Sequence, residues 1–207
     1  HTNYDALNYY LQGIKVHQDH TQELDLWTLC DAYISIIELY FTDLCDDIHA
    51  EDEIKKYIEL GLSINNQVPQ IWYCAANYHY IKGNDDQAVH YINCCIKALF
   101  HIIQHNEQHN EHLPEPTVEI QNNIGKLAME MECYSLAYQV YTHVIQLDDR
   151  FAEIWYLNGI CALKLKKKEQ AKHAFLQAYH LLQQLKEQQQ LEKDHGLLQS
   201  IQDFLNE

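Results

Sequence analysis

The stretch "IWYCAANYHYIKGNDDQA" (residues 71–88) returns as "IWYLNGICALKLKKKEQA" (residues 154–171), and the reading of this pair decides the fold. In both copies an Ala stands sixteen residues after the Trp: Trp72 to Ala88, and Trp155 to Ala171. Between them, "IQNNIGKLAMEMECYSLA" (residues 120–137) has the same layout, with Gly125 lying 34 residues before Gly159 and Ala137 lying 34 before Ala171. Small residues at Ala76, Gly125 and Gly159 let a first helix approach its neighbour closely, and larger residues fill the grooves. The second helices repeat offsets of four and three, which put each trio on one helical face: Ala88, Ile92 and Cys95; Ala137, Tyr141 and Val144; Ala171, Phe175 and Ala178. The same trio recurs at Ile54, Ile58 and Gly61, and at Ala6, Tyr10 and Gly13.

A period of 34 with two helices per unit is the tetratricopeptide repeat (TPR) length. The expected fold is therefore all-α, an α-α superhelix of about four helix pairs with a leading half repeat and a C-terminal capping helix. One domain over residues 1–207 divides into a half repeat at 1–20, repeats at about 24–66, 67–113, 116–149 and 150–184, and a cap at about 190–206. Turn residues agree: "KGNDD" (82–86) and "LDDR" (147–150) supply Gly, Asn and Asp where the chain reverses. Two intervals run long. About five extra residues precede Ile54, in "CDDIHAED", and fifteen are inserted between Pro69 and Val118, centred on "HIIQHNEQHNEHLPEP". Leu197, Leu198, Ile201 and Leu205 give the last amphipathic helix, which covers the open end that a solenoid otherwise leaves.

Composition supports a folded helical chain: 207 residues, 47% hydrophobic, with 6 Gly and 3 Pro. No apolar run reaches the eighteen or so residues of a membrane span, so a soluble protein without membrane contact is expected. The chain opens on His1 rather than Met, as a trimmed piece would, and shows no signal or transit peptide. Seven cysteines without a repeated C-x-x-C pattern fit a reducing compartment and small core positions. The formal net charge is −16, from 30 acids against 14 bases. Such a chain repels nucleic acid and favours a basic partner. Residues 1–63 are the most acidic part, with 13 acids against 3 bases.

In TPR solenoids the first helix of each pair lines the concave surface. The inward positions are Glu38; Tyr73, Asn77 and Tyr80; Glu119, Asn122, Lys126 and Glu130; Glu153 and Tyr156. Asp43, Asp46 and Asp47, at the end of "IIELYFTDLCDD" (36–47), extend that wall, while Ile36, Leu39, Tyr40 and Leu44 serve packing. Carboxylates suit Lys and Arg, aromatic rings suit stacking and cation-π contact, and Asn suits main-chain groups, so the surface is expected to hold an extended basic peptide. Exposed ion pairs contribute only about 0.2 to 1 kcal/mol each. The tyrosines are accordingly the expected anchors.

Other constellations are weaker. His101, His105, His109 and His112 stand at offsets of four, four and three, but the Glu of "HNEQH" lies two places after the first His rather than one, and no Cys accompanies them. An extended polar helix end with a loop is the expected reading, with no metal and no cofactor. No phosphate loop, nucleophile elbow or acid-base pair is legible, so no catalytic residue is assigned and no enzyme is expected. The run "KLKKK" (164–168) with Lys172 falls on a helix hairpin, where a solvated turn is the usual meaning. A carboxylate clamp of the heat-shock co-chaperone kind would need several Lys and Arg on the first helices; Lys126 stands alone there, and Arg150, the single Arg, lies in a turn. A scaffold TPR or co-chaperone adaptor that joins partner proteins is the alternative class.

Three segments carry a family resemblance. "AYISIIELYFTDLCDD" (32–47), "AEIWYLNGICAL" (152–163) and the Pro-containing join "LPEPTVEIQ" (113–121) resemble a family of TPR assembly chaperones dedicated to the fourth large-subunit ribosomal protein. Phe41 and Ile37 depart from that family's pattern. The resemblance implies a non-enzymatic escort, in cytoplasm and nucleus, that binds the new ribosomal protein by its basic internal loop and brings it to pre-ribosomes; a monomer is expected.

Overall fold

The computed structural model describes residues 2–19, 26–110, 112–187 and 201. Nine α-helices and no strands occur among them: α1 (Thr2–Asp19), α2 (Leu26–Phe41), α3 (Ala50–Ile64), α4 (Pro69–Ile81), α5 (Asp85–Gln108), α6 (Val118–Glu130), α7 (Tyr134–Leu147), α8 (Ala152–Lys164) and α9 (Lys168–Glu187). The expected all-α class of helix pairs is what the chain adopts. Two compact units result, His1–Pro116 and Thr117–Glu207. In the first, α2 packs on α3 and α4 on α5, with further contacts from α1 to α2 and from α3 to α4. In the second, α6 packs on α7 and α8 on α9, with α7 also against α8.

The trios of the second helices form the core. Ala88, Ile92 and Cys95 are fully buried, as are Ala137, Tyr141 and Val144, and Ala171, Phe175 and Ala178 are nearly so. The small residues do what their spacing requires. A Cβ built on Gly125 would lie 2.7 Å from Cζ of Tyr141, and one on Gly159 would lie 2.8 Å from Cε1 of Phe175. On α1 the trio behaves otherwise. Leu7 and Ile14 are buried, whereas Ala6 and Tyr10 are half-buried and Gly13 is exposed.

The hairpin turns repeat at atomic level. Gly83 (φ 70°), Glu132 (φ 57°) and Lys166 (φ 60°) all adopt the left-handed conformation. Each closes its helix by the same two bonds: Asn84, Cys133 and Lys167 donate to the carbonyls of His79, Ala128 and Ala162, while the left-handed residues donate to Tyr80, Met129 and Leu163. This double closure satisfies carbonyls at the helix end and favours Gly, which only the first of these turns has. Trp72 and Trp155 also act alike, Trp72 Nε1 donating to the Asn66 carbonyl at 2.7 Å and Trp155 Nε1 to that of Asp149 at 2.8 Å. Each indole thus ties its helix to the loop six residues upstream.

The insertion accompanies an α5 of 24 residues, and residues 112–117 have no regular secondary structure. Asn106 clasps this return, its Nδ2 donating to the Leu113 carbonyl at 3.0 Å and its Oδ1 accepting from the Leu113 amide at 2.8 Å. Most of the expected cap at about 190–206 lies outside the described residues; Ile201 within it is helical and fully buried with α8 and α9 residues.

Glu51 joins two repeats of the first unit. Its carboxylate accepts from Lys82 and from the Tyr78 hydroxyl at 2.8 Å, and pairs with Lys55 at 2.9 Å. These donors, Lys82 first, hold its pKa down at about 2, against the ordinary 4.5. A depressed carboxyl stabilises the fold above its unfolded pKa and loses that contribution as pH falls through the folded value. Acid titration followed by circular dichroism is therefore expected to show stability declining between about pH 4.5 and 2, with Glu51→Gln flattening that slope. An unchanged slope in the variant would remove Glu51 from the account.

Candidate functional site

Each unit presents a first-helix face, built separately. In the first unit the faces of α2 and α4 adjoin. Glu38 is exposed near the end of α2, yet neighbouring atoms desolvate its carboxyl and raise its pKa. Its charge in turn helps to raise the buried Cys74 thiol of α4, after burial itself, which places the carboxylate beside that helix. Tyr73, Asn77 and Tyr80 follow one another at offsets of four and three along α4 and are all half-buried. One stripe therefore offers ring faces and an amide, with Glu38 at its edge. Ile81, 63% exposed, prolongs the stripe with apolar surface.

The aspartates are placed differently from the sequence expectation. α2 ends at Phe41, and Asp43, Asp46 and Asp47 belong to the turn that follows, anchored by the buried Leu44. Asp43 and Asp46 are exposed. Asp47 is occupied, accepting from the Tyr4 hydroxyl at 2.6 Å and from the His49 amide at 2.8 Å. Those bonds, Tyr4 first, lower its pKa. Its visible work is to fasten α1 to the turn. The sequence shows the acidic cluster but not which member a distant tyrosine claims.

In the second unit Glu119 and Glu130 are exposed at the two ends of α6, and neither is in an ion pair among the described residues. Asn122 is half-buried, with its amide oxygen shielded and lacking a hydrogen-bond partner. Lys126 pairs with Glu153 at 2.7 Å from α6 to α8, both side chains remaining well exposed. The lone positive charge of this face is thus countered by one of its predicted carboxylates. Tyr156 is half-buried and tilted against Phe175, ring centroids 5.7 Å apart. Below them Tyr141 is fully buried with its hydroxyl unpartnered, and burial raises its pKa, helped by Cys161, Glu153 and Glu130. The face as a whole is mildly acidic and aromatic, with one internally compensated pair.

The histidines do not converge. α5 stops at Gln108 and His109 is extended, so the helical offset linking His101 and His105 does not carry on to His112. The His105 and His109 rings lie 4.4 Å apart, but no three His, Cys, Asp or Glu side chains among the described residues are grouped so as to hold a metal ion. No helix among the described residues is long and apolar enough to cross a membrane. Sequence reasoning missed a buried polar group on another face of the second unit: Asn158, 6% exposed, whose Nδ2 donates to Thr142 Oγ1 at 3.2 Å and to the Tyr138 carbonyl at 3.5 Å. Its only sequence signal is an Asn flanked by core positions on a first helix.

Comparison with known proteins gives three findings. No family model matches the chain. The chain is 26% identical over 159 residues to a protein of Schizosaccharomyces pombe described as a probable assembly chaperone of rpl4, covering 74% of this chain and 46% of that protein. It spans about half the length of that curated relative. Among solved structures it is similar to an assembly chaperone of RpL4 (Acl4, residues 1–338), with a TM-score of 0.59 and 19% identity, over 81% of this chain and 59% of that one. It is also similar to YrrB, described as a TPR protein with an unusual peptide-binding site, with a TM-score of 0.52 and 14% identity, over 94% of this chain and 91% of that one. The likeness to solved structures shows a TPR-type helical fold, and the description of the curated relative agrees with the family resemblance read from the sequence.

Proposed function

We propose that this chain is the TPR part of a non-enzymatic assembly chaperone that captures a newly made, basic large-subunit ribosomal protein, the fourth, by its internal loop. The observation that carries the reading is the 26% identity over 159 residues to a probable assembly chaperone of rpl4. The faces of the first helices suit such a client. Glu38, Asp43, Asp46, Glu119 and Glu130 supply carboxylates for Lys and Arg, Tyr73, Tyr80 and Tyr156 supply rings, and Asn77 and Asn122 supply amides for main-chain groups. Glu153 takes part by exchanging Lys126 for a client cation, and Asp47 supports the turn. A net charge of −16 steers a basic loop toward the chain and keeps it from stray RNA before delivery to pre-ribosomes, as a monomer working in cytoplasm and nucleus.

The test is a binding comparison between a Lys/Arg-rich loop peptide and a neutral amphipathic helix of equal length. Binding is expected for the basic peptide, weakening steeply as ionic strength rises, because exposed charges are screened within a Debye length of about 10 Å at 0.1 M salt. Equal binding of the two peptides, or a preference for the neutral helix, would instead identify a scaffold.

A further inference from the structure

On the side of α8 away from Glu153 and Tyr156, a groove of about 460 Å³ opens between α7, α8 and α9. Asn158 stands about 140 to 160° round the helix from those two residues, and Trp155 about 160° from Glu153 and about 100° from Tyr156, so the groove opens on a different side of α8. Tyr138, Thr142, Trp155, Asn158 and His173 are among its lining residues, and its surface is mainly apolar. The polar groups on its floor are fixed. Thr142 Oγ1 donates to the Tyr138 carbonyl at 2.7 Å and accepts from Asn158, while the Trp155 ring meets His173 edge-on at 5.7 Å.

The rim of this groove reverses the charge of the molecule. Lys167 Nζ sits 4.1 Å from the centroid of the Tyr138 ring, a groove wall, and Lys164 Nζ sits 5.4 Å from that of Tyr134, one turn earlier on α7. Lys166, Lys168 and Lys172 are exposed beside them. Lys126 and Arg150 of this unit have carboxylate partners, whereas none of these five lysines is in an ion pair among the described residues. One carboxylate, Glu169, also lines the groove. Ammonium groups laid on tyrosine rings are held in place while keeping their outer side for an anion. A groove of this volume accepts a few side chains, as small ligand pockets do.

We propose that this groove is a second docking site, for a short acidic peptide segment of another protein that carries an aromatic or aliphatic anchor residue. The anchor enters between Tyr138, Trp155 and His173, and its flanking carboxylates meet Lys167 and Lys168. Charge complementarity chooses the occupant. A basic client is repelled at this rim, and a polyphosphate chain meets a protein of net charge −16 and a groove shaped for side chains.

Fluorescence anisotropy on the 207-residue chain tests it, using a fluorescein-labelled twelve-residue Asp/Glu peptide with one Phe and one Leu. The same peptide with Lys for each acid and a twelve-nucleotide single-stranded RNA serve as comparisons. The acidic peptide is expected to bind, and to bind at least tenfold more weakly to Lys167→Glu/Lys168→Glu and to His173→Asp, all with unchanged helicity. Binding of the basic loop peptide is expected to be the same in these variants, which separates this site from the first-helix faces. Equal affinity of the acidic peptide for variants and parent, tighter binding of the RNA, or displacement of the peptide by self-association of the chain would each overturn the proposal.

Discussion

Adding a single methyl group at Gly125 is expected to destabilise the second unit by about 1 to 3 kcal/mol, although Ala is the better helix former. The reason is geometric. A Cβ there would lie 2.7 Å from Cζ, 2.8 Å from Cε1 and 3.0 Å from Oη of Tyr141. Tyr141 is fully buried on α7 and cannot swing away as a surface side chain would. The first unit contains its own solution to the same problem. At the corresponding positions it has Ala76 and Ile92, both fully buried, a larger small residue opposite a smaller large one. Copying that pair tests the argument. Gly125→Ala clashes and Tyr141→Ile alone leaves a cavity costing about 2 to 4 kcal/mol, but Gly125→Ala/Tyr141→Ile is expected to recover part of both losses, a coupling of about 1 kcal/mol or more. Chemical denaturation of the four proteins measures it. Strictly additive losses would mean that the two side chains do not share this contact.

The same comparison shows why so much of the fold is legible in the sequence. Gly125 with Tyr141, Gly159 with Phe175 and Ala76 with Ile92 each stand sixteen residues apart, and each is a size match across one hairpin. The constraint is local to about half a repeat, so it leaves a pattern in the sequence that repeats with the fold. Left-handed turn residues are partly legible for the same reason: Gly83 announces itself, whereas Glu132 and Lys166 reach the same conformation without the residue that favours it. The site is harder to read. Tyr4 takes Asp47 from 43 residues away, and Lys126 takes Glu153 from a neighbouring repeat. Those pairings depend on how helices lie against one another, which periodicity fixes in register but not in side-chain choice. The groove under Lys167 is hidden more completely, because its lining comes from three helices and only their packing brings those three faces together.

Tyr80→Ala is expected to cost the proposed client complex about 2 kcal/mol, roughly a thirtyfold rise in Kd, because aromatic anchors carry a disproportionate share of interface energy. Tyr80 is the informative choice among the tyrosines. It is half-buried on the α4 stripe, whereas Tyr73 packs against the first core cluster and Tyr156 against the last, so truncating either of those also disturbs folding. Charge reversal should leave a different signature. Glu38→Lys/Asp43→Lys removes one carboxylate from the edge of that stripe and one from the turn after α2 and adds two like charges, which slows association and weakens binding most at low salt. Combining a titration of the basic loop peptide with a salt series separates the two effects: the Tyr80 loss persists at high ionic strength and the charge-reversal loss shrinks. Unaltered capture of the peptide by both variants, with helicity intact, would move the client off the first-helix face of the first unit altogether.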